Sequence, residues 1–368
     1  MPPRVSMPPS PDGLFHDGHL HVGLLYGGRS SEHEVSARSA RNVADALRDR
    51  YRVTPILIDR QGRWQRTTTV EDRDAMASAN AHVADEVGHV GTWGLDVVVP
   101  MLHGQNGEDG RIQGYLHTLG LPYVGPDVLA SAACMDKEVT KRMLRDAGLP
   151  IVPFHLVRRG DAATFDAATF DAVTAALGPT VFVKPANSGS SVGTSKASDA
   201  AGFQAAVADA LRYDHKVLVE TAVQGREIEV AVLGNLHGLG APLQASVPGE
   251  ILSTAQFYTY AAKYLDADAA RMQVPADLPA DLAERIRHLA LDAARTLGCE
   301  GLARVDFFLA DDGALYVNEI NTIPGFTARS MYPVMWAASG LPLPDLVATL
   351  IDLALQRHQR DATLSFTI

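Results

Sequence analysis

The chain of 368 residues has little cysteine, no long apolar run and a deficit of positive charge. Its two cysteines, Cys134 and Cys299, have no CxxC partner. They suggest no disulfide framework, and two buried small side chains in a reducing cytosol fit them best. No apolar run reaches the roughly 18 residues needed to cross a bilayer, so no membrane role is expected. Lysine and arginine total 32 against 43 aspartates and glutamates, a formal net charge of −11. That balance argues against a nucleic-acid surface. Residues 1–20 hold Pro2, Pro3, Pro8, Pro9 and Pro11 but no apolar core, so they read as a disordered tail and not as a signal peptide. His16, His19 and His21 have metal-like spacing, yet they read as surface.

What is present is ordinary for a globular protein of two or three domains: 46% hydrophobic and 20% charged residues. Apolar runs at 21–26, 53–58 and 95–101 alternate with helical patterns at 35–50 and 69–89, which predicts a parallel sheet with helices on its faces. A short strand and turn at 121–126 suggest a domain boundary. One helix is expected over 130–147, ended by Gly148 and Pro150. Residues 158–176 read as exposed helix and loop. Strands follow at 180–184 and 216–220, with a helix at 200–212 between them. After a strand at 227–233, the aromatic-rich stretch 253–272 reads as a long functional loop. A helix at 280–297, strands at 303–309 and 314–321 and a helix at 343–356 complete the chain.

The segment 304–321 carries the strongest chemical signal. If Asp312-Gly313 forms a two-residue hairpin turn, then Phe308 faces Val317, Asp306 faces Glu319 and Arg304 faces Asn321, all on one face. Two opposed carboxylates need a counter-charge. With an amide oxygen beside them and no His or Cys, they suit a hard cation such as Mg2+. The alternative is a structural cluster neutralised by Arg304.

Three other segments carry weaker signals. The strand at 180–184 places Phe182 and Lys184 on one face and runs into Ser188-Gly-Ser-Ser-Val-Gly193, a loop whose N–H groups suit phosphate, although any polar turn looks similar. Lys137 and the strand-end Glu220 could join it around a nucleotide. Gly27-Gly28 opens a helix with Glu32 and Glu34 in its first turn, which suits either the helix dipole or a substrate ammonium. His103 sits in a glycine-rich loop at the carboxyl end of a strand, a usual place for α/β sites.

Together these segments resemble the D-alanine–D-alanine ligases of the ATP-grasp superfamily. The matching pieces are 27–36, Met135-Asp-Lys137, Val183-Lys-Pro185 with 189–193, Ala262-Lys-Tyr264, His103 to Gly114, and Arg304-Val-Asp-Phe-Phe followed by Glu319 to Gly325, in the family's order from about 21 to 355. The resemblance implies an α/β ATP-grasp fold of three domains: 21–125 with the first D-alanine site, 126–219 as the central domain, and 220–368 with a mobile loop at 253–272. ATP would lie between the last two. It implies that ATP phosphorylates one D-alanine, that a second D-alanine attacks, and that the dipeptide serves peptidoglycan synthesis in a bacterial cytoplasm. Homodimers are common in the family.

By the same resemblance, Asp306, Glu319 and Asn321 hold two Mg2+ ions, for which Mn2+ can substitute. Lys137, Lys184 and Ser191 hold phosphates, and Phe182, Phe308, Glu220, Val223 and Glu227 hold the nucleoside. The stretch Thr221-Ala222-Val223 lacks the Lys-Trp-like pair of some members. Glu34 would take the first D-alanine ammonium, with His103 beside its carboxylate. Arg304 and Gly325 would hold the oxyanion. Ser330 and Lys263 would hold the second D-alanine, with Met331 close by. Ser190, Tyr264 and Glu34 would latch the mobile loop. Competing readings are a D-alanine–D-lactate ligase, where Tyr264 argues for the dipeptide, another ATP-grasp carboxylate–amine ligase, and a non-catalytic nucleotide-binding protein.

Overall fold

The structure, a computed structural model, describes residues 19–70, 87–160, 167–237, 242–253 and 270–365. Lys263, Tyr264 and nearly all of the loop expected at 253–272 lie outside these residues, as does most of the helix expected at 69–89. Val87–Thr92 is a 3-10 helix.

Three sheets organise the chain. The first has strands β1 (His21–Gly27), β2 (Arg52–Ile58), β3 (Trp64–Arg66) and β4 (Val97–Pro100) in the order β3-β2-β1-β4. β1 is parallel to β2 and β4, and β3 adds an antiparallel edge. Helix α1 (His33–Leu47) is the crossover, and it buries Val35, Ala40, Val43 and Leu47 at helical spacing. α2 (Arg111–Thr118) follows the His103 loop.

The single helix expected at 130–147 is two: α3 (Val128–Met135) and α4 (Lys137–Asp146). Asp136 breaks it. Its carboxylate accepts from the N–H groups of Glu138 and Val139, so it caps α4 while ending α3. Lys137 thereby becomes the first residue of a helix.

The second sheet is antiparallel, ordered β5-β8-β6-β7, from β5 (Phe154–Arg158), β6 (Val181–Pro185), β7 (Ser195–Ala197) and β8 (Lys216–Thr221). Because side chains alternate, Val157, Val181, Val183, Val217 and Val219 share one face. They form a core with α5 (Ala167–Leu177) and α6 (Ala200–Ala210). The opposite face carries Phe182, Lys184 and Glu220.

The third sheet contains β9 (Gly225–Gly234), β10 (Gln244–Ala245), β11 (Gly249–Ser253), β12 (Ala270–Gln273), β13 (Gly301–Ala310) and β14 (Leu315–Asn321), ordered β12-β11-β9-β13-β14 with β10 beside β9. Ile228, Val230, Val305, Phe307 and Val317 pack with α7 (Ala280–Thr296). Cys134 and Cys299 lie in this core as free thiols, Sγ to Sγ 3.6 Å. Their mutual hydrogen bond and their burial push the Cys134 thiol pKa well up, so it stays protonated. Helices α8 (Met331–Ala338) and α9 (Leu343–Asp361) close the chain, and their apolar residues join β1, β4 and α1 in one continuous core. No single helix among the described residues is long and apolar enough to cross a membrane.

The β13–β14 hairpin departs from the expected register in two places that cancel. Its turn has three residues, Asp311–Gly313, with Gly313 at φ +86° and Ala310 accepting from Gly313. Phe308 therefore faces Tyr316, not Val317. A bulge at Asn318 then restores the offset, so Asp306 faces Glu319 and Arg304 faces Asn321 as expected.

Candidate active site

On the face of the third sheet turned away from α7, register places Glu229, Asp306 and Glu319 side by side on β9, β13 and β14. Arg304 lies over two of them. Its Nε and Nη2 donate to the Asp306 carboxylate at 2.7 and 2.6 Å, and Nε is 2.9 Å from Glu229. Burial alone would lower the Arg304 pKa, but Asp306 and Glu229 reverse that and hold it well above its usual value. Asn321 donates from Nδ2 to Asp306 at 2.9 Å. Lys137 reaches in from α4, 3.4 Å from Glu319. One row thus gathers three carboxylates, an amide, a guanidinium and an ammonium. Glu229 was not singled out from the sequence. The alternation Glu227-Ile228-Glu229 in a strand was the available signal.

The second sheet faces this row. Lys184 Nζ is 2.6 Å from Glu220 Oε2 and 3.4 Å from Asn318 Oδ1 across the gap to β14. Lys141, wholly buried, lies 3.0 Å from the other Glu220 oxygen. Burial alone would raise the Glu220 pKa, yet Lys141 and Lys184 hold it below the usual carboxylate range. Both oxygens of this carboxylate, expected beside an adenine amine, face lysines. Phe182 and Phe308 are half-buried on the two sheets, and Glu227 pairs with Phe308. Val223 is half-buried just after β8.

Loop 187–193 leaves β6 and meets the first domain. Lys137 Nζ donates to the Ser188 carbonyl at 2.7 Å, and Gln105 to that of Asn187 at 3.3 Å. Ser190 and Ser191 hold φ at +49° and +59°. The Ser190 hydroxyl donates to Glu32. Gly104 must be glycine, since a Cβ there would lie 2.6 Å from Glu32 Oε2 at φ +73°.

Behind Glu32 is a second carboxyl group, Glu108, which accepts from the N–H groups of Gly104 at 2.7 Å and Ile323 at 3.3 Å. Burial and the Glu32 charge raise its pKa to about 8. It therefore holds a proton at neutral pH.

His103 is also buried, which lowers its pKa against the pull of Glu32. Its Nδ1 is 2.9 Å from the Ile323 carbonyl and can only donate there. In the neutral ring, which burial favours, Nε2 accepts from Ser39 Oγ, 2.9 Å away. Ser39 in turn accepts from the Phe326 N–H at 3.1 Å. These hydrogen bonds orient the imidazole and tether the loop around Gly325. A Cβ on Gly325 would meet Ser330 Oγ at 2.7 Å, and that hydroxyl accepts from the Thr327 N–H at 3.0 Å.

Comparison with known proteins decides the family. Residues 21–126 match the family described as D-ala D-ala ligase N-terminus, and residues 143–352 match D-ala D-ala ligase C-terminus. The chain belongs to the D-alanine–D-alanine ligase family. A D-alanine--D-alanine ligase of Shouchella clausii is 45% identical, over 94% of this chain and 98% of its own. D-alanine--D-alanine ligase A of Escherichia coli K12 is also 45% identical, over 95% and 99%. Among solved structures, the D-alanine-D-alanine ligase of Coxiella burnetii superposes with a TM-score of 0.79 at 37% identity, over 94% and 96% of the chains. The VanG D-Ala:D-Ser ligase of Enterococcus faecalis superposes at 0.80 with 31% identity, over 91% and 99%. The ATP-grasp fold expected from the sequence is thus the fold observed.

Within this family member, one expected site residue sits elsewhere. Glu34 points outward and pairs with Arg60, which holds its carboxyl pKa low against burial. Glu32 occupies the inward position instead. Met331, next to Ser330, is packed in the apolar core beside Gly249.

Proposed function

We propose that the chain joins two molecules of D-alanine into D-alanyl-D-alanine with ATP, in the bacterial cytoplasm, for peptidoglycan synthesis. The observation that carries this reading is the meeting of Lys137 and Glu319, 3.4 Å apart, where the glycine-serine loop, α4 and the carboxylate row converge. An ammonium and a carboxylate row at one point suit a polyphosphate with its counter-ions.

Asp306, Glu319 and Asn321 are oxygen donors on one sheet face, and turning the Asn321 amide over would present its oxygen. They fit Mg2+, or Mn2+, which when bound would neutralise and align phosphate oxygens. We assign Lys137, Lys184 and loop residues Ser190 and Ser191 to the phosphates. Phe182, Phe308, Val223 and Glu227 border the nucleoside.

Glu32 receives the ammonium of the first D-alanine. The carboxylate of that D-alanine attacks the γ-phosphorus of ATP, releasing ADP and leaving an acyl phosphate. The amine of the second D-alanine attacks the acyl carbon, and Arg304 and the Gly325 N–H stabilise the oxyanion. Phosphate leaves as the amide forms. Ser330, with Lys263, holds the second carboxylate. Closure of loop 187–193 on Glu32, with Tyr264, excludes the water that would hydrolyse the acyl phosphate. Homodimerisation is the assembly the family favours.

The second substrate is the point at which a rival enters, because a D-Ala:D-Ser ligase shares this fold. The test is ADP release with Mg-ATP and D-alanine, alone and with excess D-serine or D-lactate, products separated by mass. D-alanyl-D-alanine as the main product supports the reading. A mixed dipeptide or depsipeptide as the main product transfers the protein to the variant branch, and no ADP release removes the activity.

A further inference from the structure

Lysine is almost never fully buried unless it is paired, because its ammonium loses its hydration. Lys141 is 0% exposed. On α4 it lies one turn after Lys137, so the two share a helix face. Lys137 reaches outward to Ser188 and Glu319, while Lys141 points inward to Glu220. Its remaining neighbours are the Val152 carbonyl at 3.5 Å and the Phe154 ring at 6.0 Å. Glu220, 2% exposed, thus has one ammonium on each oxygen, and the two differ in kind. Lys141 is enclosed and fixed. Lys184 lies at the cleft, with Asn318 of the facing sheet as its second partner.

This arrangement solves a specific problem. If Lys184 were the only partner of Glu220, moving its Nζ to an incoming phosphate would strand a buried carboxylate, and breaking a buried pair in that way is strongly unfavourable. With Lys141 in place, Glu220 keeps a counter-ion whichever way Lys184 turns. We propose that Lys141 is a positioning residue of the nucleotide site, holding Glu220 so that Lys184 is free to exchange that carboxylate for a phosphate oxygen. The inference rests on the assignment of Lys184 to the phosphates.

Calorimetric titration of the full-length protein with Mg-ADP tests it, beside ATP and D-alanine kinetics. Lys184→Met is the control for the site: ADP affinity is expected to fall about tenfold or more, the loss of a charge-assisted hydrogen bond. Unchanged affinity would withdraw the assignment of Lys184 and the inference with it. Lys141→Met, nearly the same in volume, is expected to weaken ADP about tenfold and raise the ATP KM while the D-alanine KM stays put. Normal ADP binding in Lys141→Met, when Lys184→Met has lost it, overturns the role of Lys141 and leaves the site standing. If Lys141→Met does not fold, Glu220→Gln and the double variant Lys141→Met/Glu220→Gln replace it. Because Lys141 acts through Glu220, the two should bind ADP alike. A further loss of about tenfold in the double variant would mean that Lys141 acts independently of Glu220, against the proposal.

Discussion

Ser190 donates its hydroxyl hydrogen to Glu32, 158 positions earlier in the chain. The bond joins the glycine-serine loop of the second sheet to the first helix of the first. It also holds Ser190 in a left-handed backbone conformation that a non-glycine residue adopts at a cost of roughly 1–2 kcal/mol.

The two acidic residues at the start of α1 should therefore differ in effect. Glu32→Gln is expected to lower kcat/KM for D-alanine about 100-fold or more, since it removes both the ammonium partner and the anion that Ser190 meets. Glu34→Gln, which weakens an exposed pair with Arg60, should stay within about threefold. Steady-state ADP release decides between them, and equal losses would refute the assignment of Glu32.

Arg304→Lys keeps a positive charge but loses the fork that reaches Asp306 and Glu229 together. Loss of one oxyanion donor typically costs about 100- to 1000-fold in kcat, so a drop of that order is expected with little change in ATP KM. A change confined to ATP KM would place Arg304 at the nucleotide instead.

Asp306→Asn removes a metal-type ligand and relieves the carboxylate row. The Mg2+ concentration for half-maximal activity should rise about tenfold or more. An unchanged Mg2+ dependence would leave this row a structural cluster.

Glu108 gives a pH signature of unusual sign for an acid. Its pKa is raised when folded, to about 8 from 4.5. Its contribution is complete below the unfolded value and is lost as pH rises toward the folded one, at most on the order of 1 kcal/mol per pH unit. Glu108→Gln cannot ionise and should flatten the fall in stability between pH 5 and 8 in urea unfolding. A slope equal to that of the unmodified protein would show that Glu108 is not the group responsible.

Much of this site was legible because its parts are local. The opposition of Asp306 to Glu319 followed from strand alternation, and it held although both the turn and the strand were misread by one residue. Glu32 and Glu34 could not be separated in the same way. They are about 200° apart around a helix, so the choice depends on where the helix begins, which backbone bonds decide and composition does not. The division of α3 from α4 was hidden because a capping aspartate looks like any polar residue. β5 and β11 are five residues each and mix Phe, Leu, Val and Ile with His155 and Arg158 in one and Glu250 and Ser253 in the other, so neither shows a clear strand period. Lys141 was passed over because a helical lysine usually faces water, and only the packed tertiary structure reveals that this one does not.

The continuous core that unites α1, β1 and β4 with α8 and α9 has a mechanical consequence. The first and third sheets cannot part without tearing apolar contacts, and the tethers from Ser39 and His103 to residues 323–326 bind them again. The second sheet has a core of its own. That sheet is therefore the part expected to hinge on nucleotide entry, against a floor that carries Glu32, Arg304 and Gly325.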